Sequence, residues 1–452
     1  MTVETPICDF VRAYAAARPH RLHMPGHKGT GDLGCESWDV TEVKGADSLY
    51  EAEGIIAQSE RNAAALFGSG RTLYSTEGSS QCIRAMLALA LTCRGSGRSS
   101  TVVAARNVHR SFVYACGLLD AQLLWLTEED GRSLCSCRVS PAALEETLRG
   151  LPQPPAAVYV TSPDYLGVQQ DIAALAAVCR RCDTLLLVDN AHGAYLHFLE
   201  PPCHPMDLGA DLCCDSAHKT LPVLTGGAYL HLSASLPRRF FDQAKPAMSM
   251  FGSTSPSYLT LTSLDLCNRT LSGDYRSRLK ETIGRLDALR SRLAGEGWAV
   301  GDSDPLKLTL RCSERGWSGV EAAERLRREG IECEFADKDD LVCMFTPSNP
   351  PEDAERLEEA LSDLSIRPAC PGPALPRLRP ESVCSIREAL LAPQETVPPE
   401  QSLGRVCGAP TVSCPPAIPI AVSGERIGPE ELELFRYYGI PSVEVVRFTK
   451  IF

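Results

Sequence analysis

Asp215-Ser216-Ala217-His218-Lys219-Thr220 decides how this chain is read. Apolar, strand-like residues flank it, Leu212-Cys213-Cys214 before and Thr225-Gly226-Gly227-Ala228-Tyr229-Leu230 after, which places Lys219 at the wall of a core and not on a solvated surface. A lysine in that setting, preceded by small polar residues and a histidine, suits a covalent cofactor site. A second apolar run, Thr184-Leu185-Leu186-Leu187-Val188, ends in Asp189-Asn190-Ala191-His192-Gly193. A buried strand that delivers an aspartate at its C-terminal end is where open α/β sheets put ligand-binding groups.

Strand-end Asp189 followed downstream by Lys219 is the pattern of pyridoxal phosphate chemistry. The lysine forms a Schiff base, and a carboxylate keeps the pyridine nitrogen protonated so that the ring acts as an electron sink. Upstream, Thr72-Leu73-Tyr74 reads as a short strand, then come Ser75-Thr76-Glu77-Gly78-Ser79-Ser80 and a helix from Gln81 to Thr92. A turn of Gly78, Ser79 and Ser80 opening a helix offers backbone N–H groups, two hydroxyls and a positive dipole end, a phosphate cradle, although serine is also an ordinary N-cap residue. His109, after the strand-like Val102 to Ala105, suits either a loop histidine or a ring lying over a planar cofactor.

At 452 residues, 44% hydrophobic, the chain can bury a large core. Its 45 basic against 57 acidic residues give −12, which argues against nonspecific nucleic-acid binding. Met1 to Pro6 lacks a basic segment followed by an apolar one, so no signal peptide is expected, and the apolar stretch from Ala85 to Thr92 is too short to span a bilayer. The 20 cysteines are scattered, as reduced and mostly buried thiols would be. Cys179-Arg180-Arg181-Cys182 and Cys135-Ser136-Cys137 have no second pair at zinc spacing. Pro25, Gly26 and Gly29 keep His23 and His27 off one helical face, so no metal site is expected.

Residues 1–55 read as an irregular N-terminal arm. Strands then alternate with helices: Ala157-Val158-Tyr159-Val160-Thr161, a helix from Ile172 to Arg181, the Asp189 strand and a strand from Gly227 to Leu232, which predicts a mainly parallel sheet with covered faces. A basic helix from Arg238 to Lys245 and one long helical stretch from Tyr258 to Ala294 lead out of it. A smaller domain follows, with strands at Lys307-Leu308-Thr309-Leu310 and Leu341 to Phe345 around a helix from Gly319 to Arg328. Pro368, Pro371, Pro373, Pro376 and Pro380 mark a linker. The expected division is 1–55 arm, 56–265 large domain, 266–365 small α/β domain, 366–380 linker and 381–452 C-terminal domain.

The motifs HMPGHKG, DVTEVKGADSLYEAEG, TEGSS, RNVHRS, TSPDYLGV, VDNAHGA, DSAHKT, STSPSYLTLTSLD and SCPPAIPIAVSGERI follow one another along the chain. In them the chain resembles the ornithine/lysine/arginine decarboxylase family, in the shorter form without an N-terminal receiver-like domain. These are pyridoxal 5′-phosphate enzymes of the aspartate-aminotransferase fold type, PLP fold type I. The resemblance implies an α/β fold with a mainly parallel seven-stranded sheet, a smaller α/β domain and a C-terminal α+β domain. It implies Lys219 as the Schiff-base lysine, Asp189 as partner of the pyridine nitrogen, His109 on the ring face and His192 beside the ring. Gly78, Ser79, Ser80, Ser216 and His218 would hold the phosphate, Thr254 and Ser255 would reach the cofactor across a dimer interface, and Asp47 and Glu425 are candidates for a substrate's distal cation.

The activity so implied is decarboxylation of a basic amino acid, lysine or arginine ahead of ornithine, to CO2 and the corresponding di- or polyamine. The setting is a cytoplasmic homodimer or higher homo-oligomer with shared sites and no nucleic-acid or membrane partner. An aminotransferase, with Arg311 clamping the α-carboxylate, a β-eliminating lyase and a non-catalytic homologue stay open as alternatives. Three positions depart from the family's usual residues: Glu77 stands where it has Asn, Asn190 where it has Glu, and Tyr50 where it has His.

Overall fold

The apolar runs on either side of Lys219 are strands of one sheet in the computed structural model, which describes residues 3–94, 99–127, 133–372, 375–376, 378, 381–413 and 417–447. That sheet contains β1 (Arg71–Ser75), β2 (Thr101–Ala105), β3 (Gln122–Leu126), β4 (Ala157–Thr161), β5 (Leu185–Asp189), β6 (Leu212–Asp215) and β7 (Ala228–Leu232), in the order β1-β7-β6-β5-β4-β2-β3. β2 pairs with β3 and β5 with β6 in parallel, whereas β7 runs antiparallel to both β6 and β1. β5, β6 and β7 are buried along their whole length, which is why they read as continuous apolar runs and not as an alternation.

Between the strands run α1 (Pro6–Ala17), α2 (Ile55–Leu66), α3 (Ser79–Thr92), α4 (Arg110–Leu119), α5 (Pro141–Gly150), α6 (Ile172–Arg181), α7 (Ala217–Thr220), α8 (Arg238–Met250), α9 (Tyr258–Leu271) and α10 (Tyr275–Gly295). Two expectations need correction. The N-terminal arm is not irregular throughout: Pro6 occupies the first turn of α1, where a missing N–H costs nothing, and Ile7, Cys8 and Val11 bury one face of the helix. The long stretch from Tyr258 to Ala294 is two helices, because the chain breaks around Gly273 between Leu271 and Tyr275.

The chain divides into two compact units, one of Met1–Arg98, Ala156–Val158 and Asp171–Leu279, the other of Ser99–Pro155, Tyr159–Gln170 and Lys280–Phe452. In the first, Phe67 packs its ring against Phe198, Tyr229 and His231 beneath β7. In the second, β8 (Lys307–Arg311), β9 (Phe335–Ala336) and β10 (Asp340–Met344) form an antiparallel sheet in the order β8-β10-β9. Beside it lies α11 (Gly319–Arg328), begun by a capping box in which Ser318 and Glu321 satisfy each other's backbone N–H. Residues 381–447 contribute short two-stranded sheets around Cys407, Ile420, Leu434, Phe435 and Val445. Pro373 and Pro380 of the proline-rich segment, and Cys414 to Pro416 of the last motif, lie outside the described residues. Among the described residues no helix is long and apolar enough to cross a membrane.

Candidate active site

Lys219 sits on α7, a single turn directly after β6, and its Nζ lies 3.0 Å from Nε2 of His192. With the lysine as an ammonium, which can only donate, Nε2 is the acceptor and the ring proton of His192 belongs on Nδ1. Asp189, the buried last residue of β5, accepts the N–H of Ala191 at 3.2 Å and stands 3.7 Å from the Sγ of Cys214, its register partner on β6. Two neighbouring parallel strands thus deliver a carboxylate and a lysine at their C-terminal ends.

Ser216, between β6 and α7, donates its hydroxyl to Oγ of Ser79 across 2.7 Å. Ser79 opens α3, and the residue before it, Gly78, has φ +70, a conformation that only glycine adopts without strain. The N–H of Gly78 donates to the carbonyl of Gly226 at 2.7 Å, and Ser75 Oγ donates to the carbonyl of Gly78 at 3.0 Å, which fixes the turn between β1 and the loop before β7. No side chain caps α3, so its first turn offers its positive end to an anion. His218 turns its ring to the backbone, with Nδ1 donating to the Gly227 carbonyl at 3.0 Å.

Residues 5–302 match the Orn/Lys/Arg decarboxylase major-domain family. The chain belongs to that family. The arginine decarboxylase of Bacillus subtilis (strain 168) is 30% identical over 462 residues, covering 95% of this chain and 92% of the relative. The arginine decarboxylase of Halalkalibacterium halodurans is 30% identical over 464 residues, covering 96% and 93%. In fold, the solved Francisella novicida lysine decarboxylase LdcF superposes with a TM-score of 0.80 at 15% identity, over 98% of this chain and 81% of that one. This chain is therefore a decarboxylase of basic amino acids that uses pyridoxal 5′-phosphate.

The donor set of the decarboxylase fits that cofactor. A primary amine for the aldehyde, a buried carboxylate for the ring nitrogen, and paired hydroxyls at an uncapped helix N-terminus for the phosphate all occur within the first unit. Thr254 and Ser255 lie in an exposed loop of the same unit, where the Ser255 N–H donates to Ser253 Oγ at 3.1 Å. His109 belongs to the second unit and caps α4, its Nδ1 accepting the N–H of Ser111 at 3.2 Å.

Both candidate carboxylates for a distal cation are already engaged. Asp47 accepts the N–H groups of Ser48, Glu53, Gly54, Ile56 and Ala57 at 2.8–3.3 Å. Glu425 is 4% exposed and accepts from Trp125 Nε1 at 2.9 Å, the Val422 N–H at 2.8 Å and the Arg106 guanidinium at 3.3 Å. Burial pushes the Glu425 carboxyl up, against the pull of Arg106. Arg311 lies in the second unit, 3.6 Å from both Glu314 and Asp340.

The three departures from the family's usual residues each have a partner. Glu77 turns to the 253 loop and accepts the Ser253 N–H at 2.5 Å, which answers its charge with a donor. The Tyr50 hydroxyl accepts from Gln81 Nε2 at 2.8 Å, and the Gln81 amide oxygen, 2.6 Å from Ser75 Oγ, shares that serine hydroxyl's single proton with the Gly78 carbonyl. Asn190 donates Nδ2 to Asp215 Oδ1 at 2.7 Å.

Asp215 heads a network that sequence reasoning missed, though its motif was the starting point. His204 and His231 place their Nε2 atoms 3.0 and 3.1 Å from Asp215 Oδ2, and all three side chains are fully buried. The Met206 N–H donates to His204 Nδ1 at 3.2 Å, so that ring carries its proton on Nε2 and offers Asp215 a donor instead of a metal a lone pair. Burial alone would raise the Asp215 pKa, but the two imidazoles hold it far below the usual carboxylate range, and burial keeps the His231 pKa low.

Proposed function

We propose that this decarboxylase acts first on arginine, with lysine and ornithine as weaker substrates, and releases CO2 and the corresponding amine. The contact of Lys219 Nζ with His192 Nε2 at 3.0 Å, beside buried Asp189, carries the assignment of the reacting centre. Arginine is favoured because the Bacillus subtilis and Halalkalibacterium halodurans relatives, each matched over nine-tenths of both chains, bear the name arginine decarboxylase.

In this reading Lys219 supplies the amine for covalent attachment, and His192 keeps that amine oriented. Asp189 holds a proton on the pyridine nitrogen, while Ser79, Ser80, Ser216 and the α3 N-terminus neutralise the phosphate. When bound, pyridoxal phosphate supplies the electron sink for the carbanion left as CO2 departs. Lys219 or His109 would serve as the general acid that returns a proton to Cα.

Glu425 is the proposed carboxylate for the distal cation: Trp125 and Val422 hold it in orientation, and it borders a recess of about 710 Å³ in the second unit. The five N–H donors on Asp47 make it the weaker candidate. A homodimer whose sites are completed across the interface is part of the proposal. Comparison of kcat/KM for arginine, lysine and ornithine by the purified holoenzyme tests the substrate. Arginine is expected to lead, and a preference for either other amino acid would overturn that part of the reading.

A further inference from the structure

Two cysteines outside the CxxC and CxC segments come together in the fold. Cys179 of the CxxC segment is buried, its thiol pushed up to about 12 by burial. In the second unit, by contrast, Sγ of Cys343 on β10 lies 3.8 Å from Sγ of Cys333, two residues ahead of β9. The Glu334 N–H donates to the Val342 carbonyl at 3.0 Å, so each cysteine adjoins a residue of one backbone hydrogen bond. With the backbone so clamped, side-chain rotation alone has to bring the sulfurs from 3.8 Å to the bonded separation of about 2.05 Å.

We propose that Cys333 and Cys343 form a dithiol site that is reversibly oxidised by low-molecular-weight disulfides. Access comes from two sides: Cys333 is partly exposed, and Cys343 lines a recess of about 190 Å³ with Asn349, Phe345 and Arg356. The division of labour follows from the surroundings. The hydrogen bond from the Cys343 thiol holds Cys333 below the ordinary thiol range against its burial, with Arg327 assisting and Glu332 opposing, whereas Cys343 itself is pushed well up. Cys312, the neighbouring third thiol, is fully buried and held protonated by that burial, so it does not compete.

The Cys333 thiolate attacks one sulfur of R–S–S–R and expels RS⁻. Cys343 then gives up its proton and attacks the Cys333 sulfur of the mixed disulfide, expelling the second RS⁻. The two cysteines lose two electrons and two protons, and R–S–S–R becomes two RSH. The new bond ties the chain ahead of β9 to β10.

The test exposes the full-length holoenzyme to oxidised glutathione, quenches with acid, alkylates under denaturing conditions and maps the peptides by mass spectrometry. Expected is a peptide pair linked through Cys333 and Cys343, lost on reduction with dithiothreitol. Cys343→Ser is expected to hold glutathione on Cys333, because the second displacement is gone, and Cys333→Ser to leave Cys343 open to alkylation. Alkylation of both cysteines in the wild type, or glutathione persisting on wild-type Cys333, would overturn the proposal.

Discussion

Asn190 donates its side-chain N–H to Asp215 across 2.7 Å, joining the residue after Asp189 on β5 to the residue before Ser216 on β6. The buried anion therefore fastens two strand ends that each carry a residue of the proposed cofactor site, on the face of the sheet opposite the side chain of Cys214.

Asp215→Ala strands the donors of Asn190, His204 and His231 in a dry interior. The expected loss is about 3–5 kcal/mol, as for removal of one partner from a buried ionic network, read as a lower thermal unfolding midpoint. The sign with pH follows from the shifts. Asp215 has a folded pKa below its unfolded one, so its contribution is present above about pH 4 and fades as the pH falls further. His231 is likewise depressed, so its contribution is lost as the pH falls below its unfolded value of 6.5. An unchanged midpoint for Asp215→Ala at pH 7 would show that the network does not stabilise the fold.

Asp265 predicts the reverse. It is fully buried, accepts the Cys8 N–H of α1 at 2.9 Å and the Ser59 hydroxyl at 2.5 Å, and burial pushes it up from 3.8 to about 6. The unfolded chain ionises this group first, so stability is lost as the pH rises from 3.8 through about 6. Asp265→Asn is expected to raise stability by about 2 kcal/mol at pH 7.5 and to do little at pH 4. Denaturant titrations at the two pH values check it, and a loss at pH 7.5 would mean that the carboxylate's hydrogen bonds outweigh its charge.

The difference between these two aspartates marks what a sequence can reveal. β4 and α6 lie where their residues put them, because a short apolar run and an N-cap, Asp171, are local signals. α1 was hidden because Thr5-Pro6 reads equally well as the end of a loop, and only the burial of Ile7, Cys8 and Val11 decides for a helix. The positions of Asp189 at a strand end, Lys219 just after the next strand and Gly78 before a helix were legible from local signals. The Asn190, His204, Asp215 and His231 cluster was not, since the register of β6 with β7 and the loops after β5 and before β6 bring its members together only in the fold. Cys333 and Cys343 were missed because only the fold brings their sulfurs within 3.8 Å.

His192→Asn removes the acceptor from the Lys219 amine. If His192 positions that amine, kcat falls about ten- to a hundredfold and the pH profile of kcat shifts, with the cofactor still bound. Steady-state kinetics across pH 6–9, with cofactor content measured by absorbance, separate this from simple cofactor loss. An unchanged profile would remove His192 from the reacting centre.

Glu425→Gln keeps the side chain's shape and a single acceptor, for Trp125 at one position or Val422 at the other, and discards the charge. A carboxylate that binds the substrate's distal cation should show a KM raised at least about tenfold with kcat nearly unchanged, since a charged hydrogen bond contributes about 1.5–3 kcal/mol. A lower unfolding midpoint with KM intact would confine Glu425 to its pairing with Arg106.

The most direct test of the whole account is CO2 release from arginine by the purified protein with pyridoxal phosphate, set against Lys219→Ala at equal concentration. The account predicts release by the wild type, and in the variant loss of at least about a thousandfold in rate, as for removal of a covalent catalytic group, together with loss of the lysine-linked cofactor's visible band. Release that survives in Lys219→Ala, or a wild type that takes up the cofactor and liberates no CO2 from arginine, lysine or ornithine, would contradict it.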